Sequence, residues 1–290
     1  MLVAGIPPTQ PRINNIGYHI MRFLGPMLIS GLSIGASTIF LYHSFSDKIF
    51  STNHNERNFA FLIIIVLFTP IIMVTISLLY VIIGDPGSTK ESIKQNKNKS
   101  FMTPEFLASF PKCQKCGLPK PPRAHHCSTC GRCHLKMDHH CPSVGVCIAL
   151  RNQQPFLVML RWGTTASMIY FITSLVMFFV SDRRKKMTML FLGFMIFIIF
   201  LVIYSFYMDS FKKVKYNITT IEEMSGNNEY NIGYEENIRQ VFGSGKFRYI
   251  IPKKSNLTGF EWALEEYKRR DTSNNIDNSH ERIVFSSESV

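Results

Sequence analysis

The chain has no cysteine outside the stretch Cys113–Cys147, although it carries seven thiols in 290 residues. That confinement argues against a disulfide framework spread through a secreted fold. Acidic residues are scarce, 20 against 32 lysines and arginines, and leave a formal charge of +12. An early apolar run is missing too, so the chain does not read as a soluble domain behind a secretory signal peptide. Charge is all but absent from four later stretches, Phe23–Tyr42, Ala60–Ile83, Phe156–Val180 and Met189–Tyr207. A bilayer-crossing helix needs about 20 mostly apolar residues, and each run is of that order.

The expected fold is therefore an all-α membrane protein with four transmembrane helices. The excess of Lys and Arg falls in 84–155 and after Tyr207, two segments that share a side if there are four spans. The positive-inside rule places that side, and both termini, in the cytoplasm. The basic loop Arg183–Lys186 opposes this orientation and is outweighed by the two longer segments. The resulting division is a cytoplasmic N-terminal segment 1–22, spans one and two within 23–83, a cysteine-rich cytoplasmic domain 84–155, spans three and four within 156–207, a cytoplasmic C-terminal domain 208–257 and a disordered tail 258–290. Within this frame Thr89–Ser100, rich in Lys and Asn, reads as a flexible linker. Pro70 is expected to kink span two without ending it. Arg161, one turn into span three, either snorkels to the headgroups or meets a phosphate.

The cysteine stretch contains its own repeat. Cys113, Cys116, His126 and Cys133 follow C-x2-C-x9-H-x6-C, and adding 14 to each number gives Cys127, Cys130, His140 and Cys147, the same pattern again. Three thiols and one imidazole, twice, are two closed tetrahedral zinc sites by ligand type and count. Such sites are structural, and in a segment carrying Pro119, Pro121 and Pro122 metal binding supplies folding free energy. His125 and His139 stand beside the selected histidines, so a shift of register would exchange the partners. Closed sites also argue against an easily exchanged zinc sensor.

One thiol, Cys141, belongs to neither set. It follows Asp138-His139-His140, which places an imidazole two positions away and a carboxylate next to that imidazole. Those are the parts of a nucleophile, its base and the group orienting the base. Pro142 favours an extended or turning backbone at Cys141. The alternatives are a spare ligand or a buried thiol. The basic surface does not point to nucleic acid, because the finger spacing lacks a reading helix and the block is tethered to a span.

The stretch 113–156 resembles the cysteine-rich domain of the DHHC-type protein S-acyltransferases, whose naming tetrad stands here as Asp138-His139-His140-Cys141. Asp85-Pro86-Gly87, Thr219-Thr220-Ile221-Glu222 and Gly233–Gly243 with Asn237 resemble three outer motifs of that family. The resemblance implies two structural zinc ions and an acyl-CoA, palmitoyl-CoA above all, as co-substrate. It implies acylation of Cys141 with His139 as general base and Asp138 orienting it, then transfer to cytoplasmic cysteines of membrane-associated protein substrates. The acyl chain is expected among the spans with the bilayer around it, in an endoplasmic reticulum or Golgi membrane. The chain departs from the family at Ser143, where Trp is usual, at Gly145-Val146 and at Ile148-Ala149. A non-enzymatic membrane scaffold using the zinc block for protein binding is the alternative that Ser143 leaves open.

Overall fold

The computed structural model describes residues 48–265, together with positions 24, 26–27, 30–31, 34–42 and 45. Three long helices dominate: α1 (His54–Ile82), α4 (Gln153–Val180) and α5 (Arg183–Tyr216). All three are long and apolar enough to cross a membrane. Of the first expected span, residues 34–42 are helical, and Phe40, Leu41 and Phe45 pack with Leu67, Tyr170, Met177 and Met189 of the other three runs. Three candidate spans are thus present among the described residues where four are expected for the whole chain. The segment 1–22 lies outside the described residues.

Helix α1 starts on Asn53, whose side chain accepts a hydrogen bond from the N–H of Asn55, a cap that satisfies one orphan donor. It passes through Pro70 without ending. Helices α4 and α5 are joined by a two-residue turn and approach closely where Ser174 Oγ donates to the Met189 carbonyl at 2.6 Å. Gly193 permits this approach, since a Cβ there would lie 2.5 Å from Ser174 Oγ. Outward-facing Phe61, Ile65, Phe191 and Val202 remain exposed, as a lipid-facing surface requires.

The cysteine block folds as two short antiparallel hairpins. Strands β1 (His125–Cys127) and β2 (Arg132–His134) form one, β3 (His139–Cys141) and β4 (Val146–Ile148) the other. Adding 14 to the first hairpin gives the second, so the sequence repeat is a structural repeat. Around it lie α2 (Thr89–Asn96), α3 (Pro104–Ala108) and α6 (Thr220–Met224), while α7 (Tyr234–Phe242) packs on α4 and α5 through Ile238, Val241 and Phe242.

Two expectations are corrected. The segment expected as a flexible linker, Thr89–Ser100, forms α2, capped by Ser88, whose Oγ accepts from the N–H of Glu91. Buried Ser92 accepts from Arg151, Ile93 packs against the apolar cluster that includes Phe106 and Leu135, and Ser88 bridges to His134, so tertiary anchors override a polar composition. The disordered tail does not start at 258. Phe260 and Ala263 are buried with Met102, Phe106, Leu135 and Leu150. A polar average over 258–290 conceals the short apolar run of Phe260, Trp262, Ala263 and Leu264, and Gly259, at φ +88°, supplies the backbone turn that admits Phe260. Residues 266–290 lie outside the described residues.

Candidate functional site

The repeat explains both ligand clusters. In each hairpin the cluster histidine is the direct cross-strand partner of a cluster cysteine, His126 opposite Cys133 and His140 opposite Cys147. Directly opposed residues project to the same face, so each pair delivers an imidazole and a thiol to one point. The two remaining thiols come from a turn. In the first, Gly117 N–H donates to the Cys113 carbonyl at 2.8 Å; in the second, Gly131 N–H donates to Cys127 at 2.9 Å. Both glycines sit near φ +65° to +70°, a conformation that costs other residues a Cβ clash.

Cys113, Cys116, His126 and Cys133 bring one donor atom each within 4.8 Å of one another, and so do Cys127, Cys130, His140 and Cys147. The Cys116–Cys133 and Cys130–Cys147 sulfurs stand 3.5 Å apart, and Cys113 and Cys130 lie 3.6 and 3.4 Å from their histidine Nδ1 atoms. A disulfide would bring the sulfurs to about 2.05 Å. Donors held at metal–sulfur bonds of about 2.3 Å around a tetrahedral ion stand roughly 3.7 Å apart, close to the spacing found here. Both clusters can hold a metal ion, and their donor chemistry suits zinc. His125 belongs to neither.

Strand β3 also explains the third group. Along a strand, side chains alternate, so His140 faces its cluster while His139 and Cys141 share the opposite face. His139 Nδ1 lies 2.5 Å from Asp138 Oδ2. The same carboxylate accepts from the Thr220 N–H at 2.8 Å and from the Thr220 hydroxyl at 3.2 Å. The edge of the His139 ring meets Phe156, with centroids 5.7 Å apart. Cys141 is buried among Leu78, Val81 and Ile82 from the end of α1, Phe156 from the start of α4, and Val144, Val146 and Ile148.

Electrostatics follow this geometry. Burial opposes ionisation of Asp138, but hydrogen bonds from His139 and the Thr220 backbone hold its carboxyl below the ordinary value. Burial also disfavours the imidazolium of His139, yet Asp138 and the Cys141 thiol raise it to about 9. At Cys141 burial raises the thiol; His139 and the backbone N–H groups of Val144 and Ser143 outweigh it and bring the thiol below its usual value. The arrangement favours a thiolate beside an imidazolium.

The origin of those backbone donors is visible in the fold. Gly145 N–H donates to the Cys141 carbonyl at 2.9 Å with φ +67°, the same turn that follows Cys113 and Cys127. Counting 14 onward again, Cys127 leads to Cys141 and Gly131 to Gly145, but Cys130 leads to Val144 and His140 to Gln154. Cys141 is therefore the first cysteine of a third metal-type turn whose other ligands are absent. Its sulfur keeps the amides that suit a thiolate in such turns and has no cluster to join.

Arg123, Asn217 and Asn152 were not singled out from the sequence, and the partners of Thr219, Glu222 and Asn237, known there only as motif residues, appear in the structure. Arg123, at φ 65°, is buried and donates to Glu222 through Nε and Nη2, each at 2.7 Å. It also reaches the Asn217 side chain and carbonyl and stacks on Tyr230 and Trp262, 4.2 and 4.8 Å from the ring centroids. Glu222 closes a capping box on Thr219, and this fixes the turn from which Thr220 reaches Asp138. Asn152 bonds the carbonyls of Val81 in α1 and Cys147 in β4, tying a span to the second cluster. Asn237 is buried and bonds the Lys215 carbonyl and the Asn231 side chain. A buried arginine with two acceptors on a distant turn has no local sequence signature. The third turn did have one, since the 14-residue spacing extends to Cys141 and Gly145.

Residues 109–227 match the DHHC palmitoyltransferase family. The chain is 32% identical over 227 residues to "Probable protein S-acyltransferase 12" of Arabidopsis thaliana, which covers 70% of this chain and 78% of that protein. It is 31% identical over 159 residues to "Palmitoyltransferase ZDHHC20" of Homo sapiens, covering 50% of this chain and 44% of the relative. It is 36% identical over 158 residues to "Palmitoyltransferase ZDHHC15" of Homo sapiens, covering 48% and 46%. The chain thus spans less than half the length of these two human relatives.

Proposed function

The chain belongs to the DHHC palmitoyltransferase family, and from that premise we propose that it is a protein S-acyltransferase working through an acyl-Cys141 intermediate. The observation that carries the reading is the position of Cys141. Its thiol shares a strand face with His139, whose Nδ1 is held by Asp138, and is buried among the apolar ends of two candidate spans.

In the first step the Cys141 thiolate attacks the thioester carbonyl of a long-chain acyl-CoA. The sulfur–carbonyl bond to Cys141 forms, the bond to the CoA sulfur breaks, and His139 gives its proton to the departing CoA thiolate. In the second step His139 takes the proton of a substrate cysteine, whose sulfur displaces Cys141 from the acyl group. The backbone N–H groups of Ser143 and Val144 stabilise negative charge on the Cys141 sulfur whenever it is free. One thioester replaces another at each step, so the protein's task is orientation and charge stabilisation. Asp138 keeps the imidazole in its working tautomer.

Cys113, Cys116, His126 and Cys133 would hold one zinc ion, and Cys127, Cys130, His140 and Cys147 another. With four protein ligands each, the ions supply folding free energy and rigidity to both hairpins. In this reading the chain crosses the membrane four times, with the cysteine block and both termini in the cytoplasm of an endoplasmic reticulum or Golgi membrane. The substrates are membrane-associated proteins with cytoplasmic cysteines, and palmitoyl-CoA is the donor.

The test is transfer. Purified full-length protein in nanodiscs, given labelled palmitoyl-CoA and a lipid-tethered peptide with one cysteine, is expected to label the peptide. Cys141→Ser is expected to abolish labelling. Equal labelling by wild type and Cys141→Ser would refute the proposal.

A further inference from the structure

The segment 244–254 is strapped along the start of α4. Gln154 Nε2 donates to the carbonyls of Arg248 and Ile251, both at 2.9 Å, and its Oε1 accepts from the Lys253 N–H at 2.7 Å. Two turns further on, Trp162 Nε1 donates to the Ile250 carbonyl at 2.8 Å. Both side chains converge on one turn, 247–251, in which the N–H groups of Ile250 and Ile251 donate to the Phe247 carbonyl. It lies beside the point where the helix emerges from the protein. Residues 153–158 are buried, and Arg161 is exposed.

The strap has two faces. Tyr249 points inward, 4.8 Å from the Phe242 ring and against the cluster of Leu157, Val158 and Val214. Phe247, Ile250 and Ile251 point outward with exposures of 58%, 36% and 53%. Lone exposed apolar residues are ordinary, but three within five positions form a patch. Lys246 and Lys253 flank it, exposed and in no ion pair among the described residues, while Arg248 donates to the Gly243 carbonyl and stacks on Tyr249, and Lys254 donates to the Ile83 carbonyl.

We propose that residues 245–254 form an interfacial anchor that seats on anionic lipid in the leaflet that α4 enters. Phe247, Ile250 and Ile251 reach the acyl boundary, and the exposed Lys246 and Lys253 meet the headgroups. Three features select lipid as the occupant. The patch is continuous with the outward surface of a candidate span, and Trp162 fixes its depth at the level where aromatic side chains anchor spans. Apolar side chains flanked by lysine also match an anionic interface. The strap grips the same end of α4 whose Phe156 packs on Cys141 and His139, so the bilayer bears on the reactive thiol through Gln154 and Trp162.

The experiment uses the full chain in nanodiscs of phosphatidylcholine alone or mixed with phosphatidylserine. In Phe247→Trp, the fluorescence added over the parent is expected to be quenched by brominated lipid, and more so with phosphatidylserine. Each basic side chain shifts the docked-to-undocked ratio about fivefold, so adding Lys246→Ala and Lys253→Ala should remove most of the phosphatidylserine effect. Hydrogen exchange of the wild-type amides 246–252 gives a measurement independent of any substitution, with slower exchange expected in the anionic discs. Quenching by acrylamide and not by brominated lipid would overturn the proposal. So would protection from both quenchers, the sign of a second copy covering the patch, or equal behaviour in the two lipids.

Discussion

Thr220 and Asp138, 82 residues apart, are joined by two hydrogen bonds, from the Thr220 N–H to Oδ1 at 2.8 Å and from its hydroxyl to Oδ2 at 3.2 Å. Oδ2 also receives His139 Nδ1. The orientation of the imidazole therefore depends on a turn beyond the last span as well as on the strand that carries it. Thr220→Val removes the hydroxyl bond and keeps the backbone bond. One hydrogen bond to a charged group contributes about 1.5–3 kcal/mol, so acyl-enzyme formation is expected to slow about tenfold or more with metal content unchanged. Asp138→Asn should slow it by several further powers of ten, as in other nucleophile–base–acid triads. Single-turnover labelling by acyl-CoA measures both, and a Thr220→Val rate equal to wild type would remove Thr220 from the account.

The buried Arg123–Glu222 pair holds that turn in place. Arg123→Met leaves the Glu222 carboxylate buried without its partner, a loss of about 3–5 kcal/mol. The double variant Arg123→Met/Glu222→Gln is expected to recover part of that loss. Thermal inactivation followed by size-exclusion profile reports the difference. Equal damage in single and double variants would show that the stacking of Arg123 on Tyr230 and Trp262 matters more than the charge pair.

Metal analysis of the purified chain is expected to give about two zinc ions, from two sets of four donors. Cys133→Ser should leave about one. A strong chelator should release hydrogen-exchange protection across both hairpins while the long helices keep theirs, because metal binding is the folding free energy of so small a unit. A single ion in the wild type would break the equivalence of the two hairpins.

The docked tail makes a sharper packing prediction. A Cβ on Gly259 would lie 2.5 Å from Leu135 Cδ1 and 2.9 Å from Leu150 Cδ2, at a backbone angle that disfavours any side chain. Gly259→Ala is expected to destabilise by about 1–3 kcal/mol through overpacking. Phe260→Ala should cost about 3–5 kcal/mol through the cavity it leaves. Limited proteolysis after residue 257 follows both, and a tail cut equally fast in wild type and variants would contradict its docking.

Much of this architecture was legible in the sequence, for identifiable reasons. Long uncharged runs announce helices because unpaired backbone is intolerable in hydrocarbon, and α1, α4 and α5 obey that constraint. Ligand spacing announces clusters because a tetrahedral ion fixes donor geometry, and both sets of four converge as spaced. What stayed hidden depends on long-range partners. Arg123 has no local pattern that foretells Glu222 or Asn217. Ser92 and Phe260 lie in stretches whose average composition is polar, and a few buried or half-buried side chains in each, Ile93 and Ser92 in one and Phe260 and Ala263 in the other, order them. The role of Thr220 was concealed similarly, since a threonine in a helix-capping sequence says nothing of a carboxylate 82 positions earlier.

The central claim is that Cys141, lacking a metal cluster of its own, carries the acyl group. Mass spectrometry of the metal-loaded chain after brief exposure to palmitoyl-CoA tests it most directly. The account predicts one hydroxylamine-sensitive palmitoyl adduct per chain, mapped to Cys141 and absent from Cys141→Ser. An adduct on any other cysteine with Cys141 unmodified, or no adduct on metal-replete protein, would contradict it.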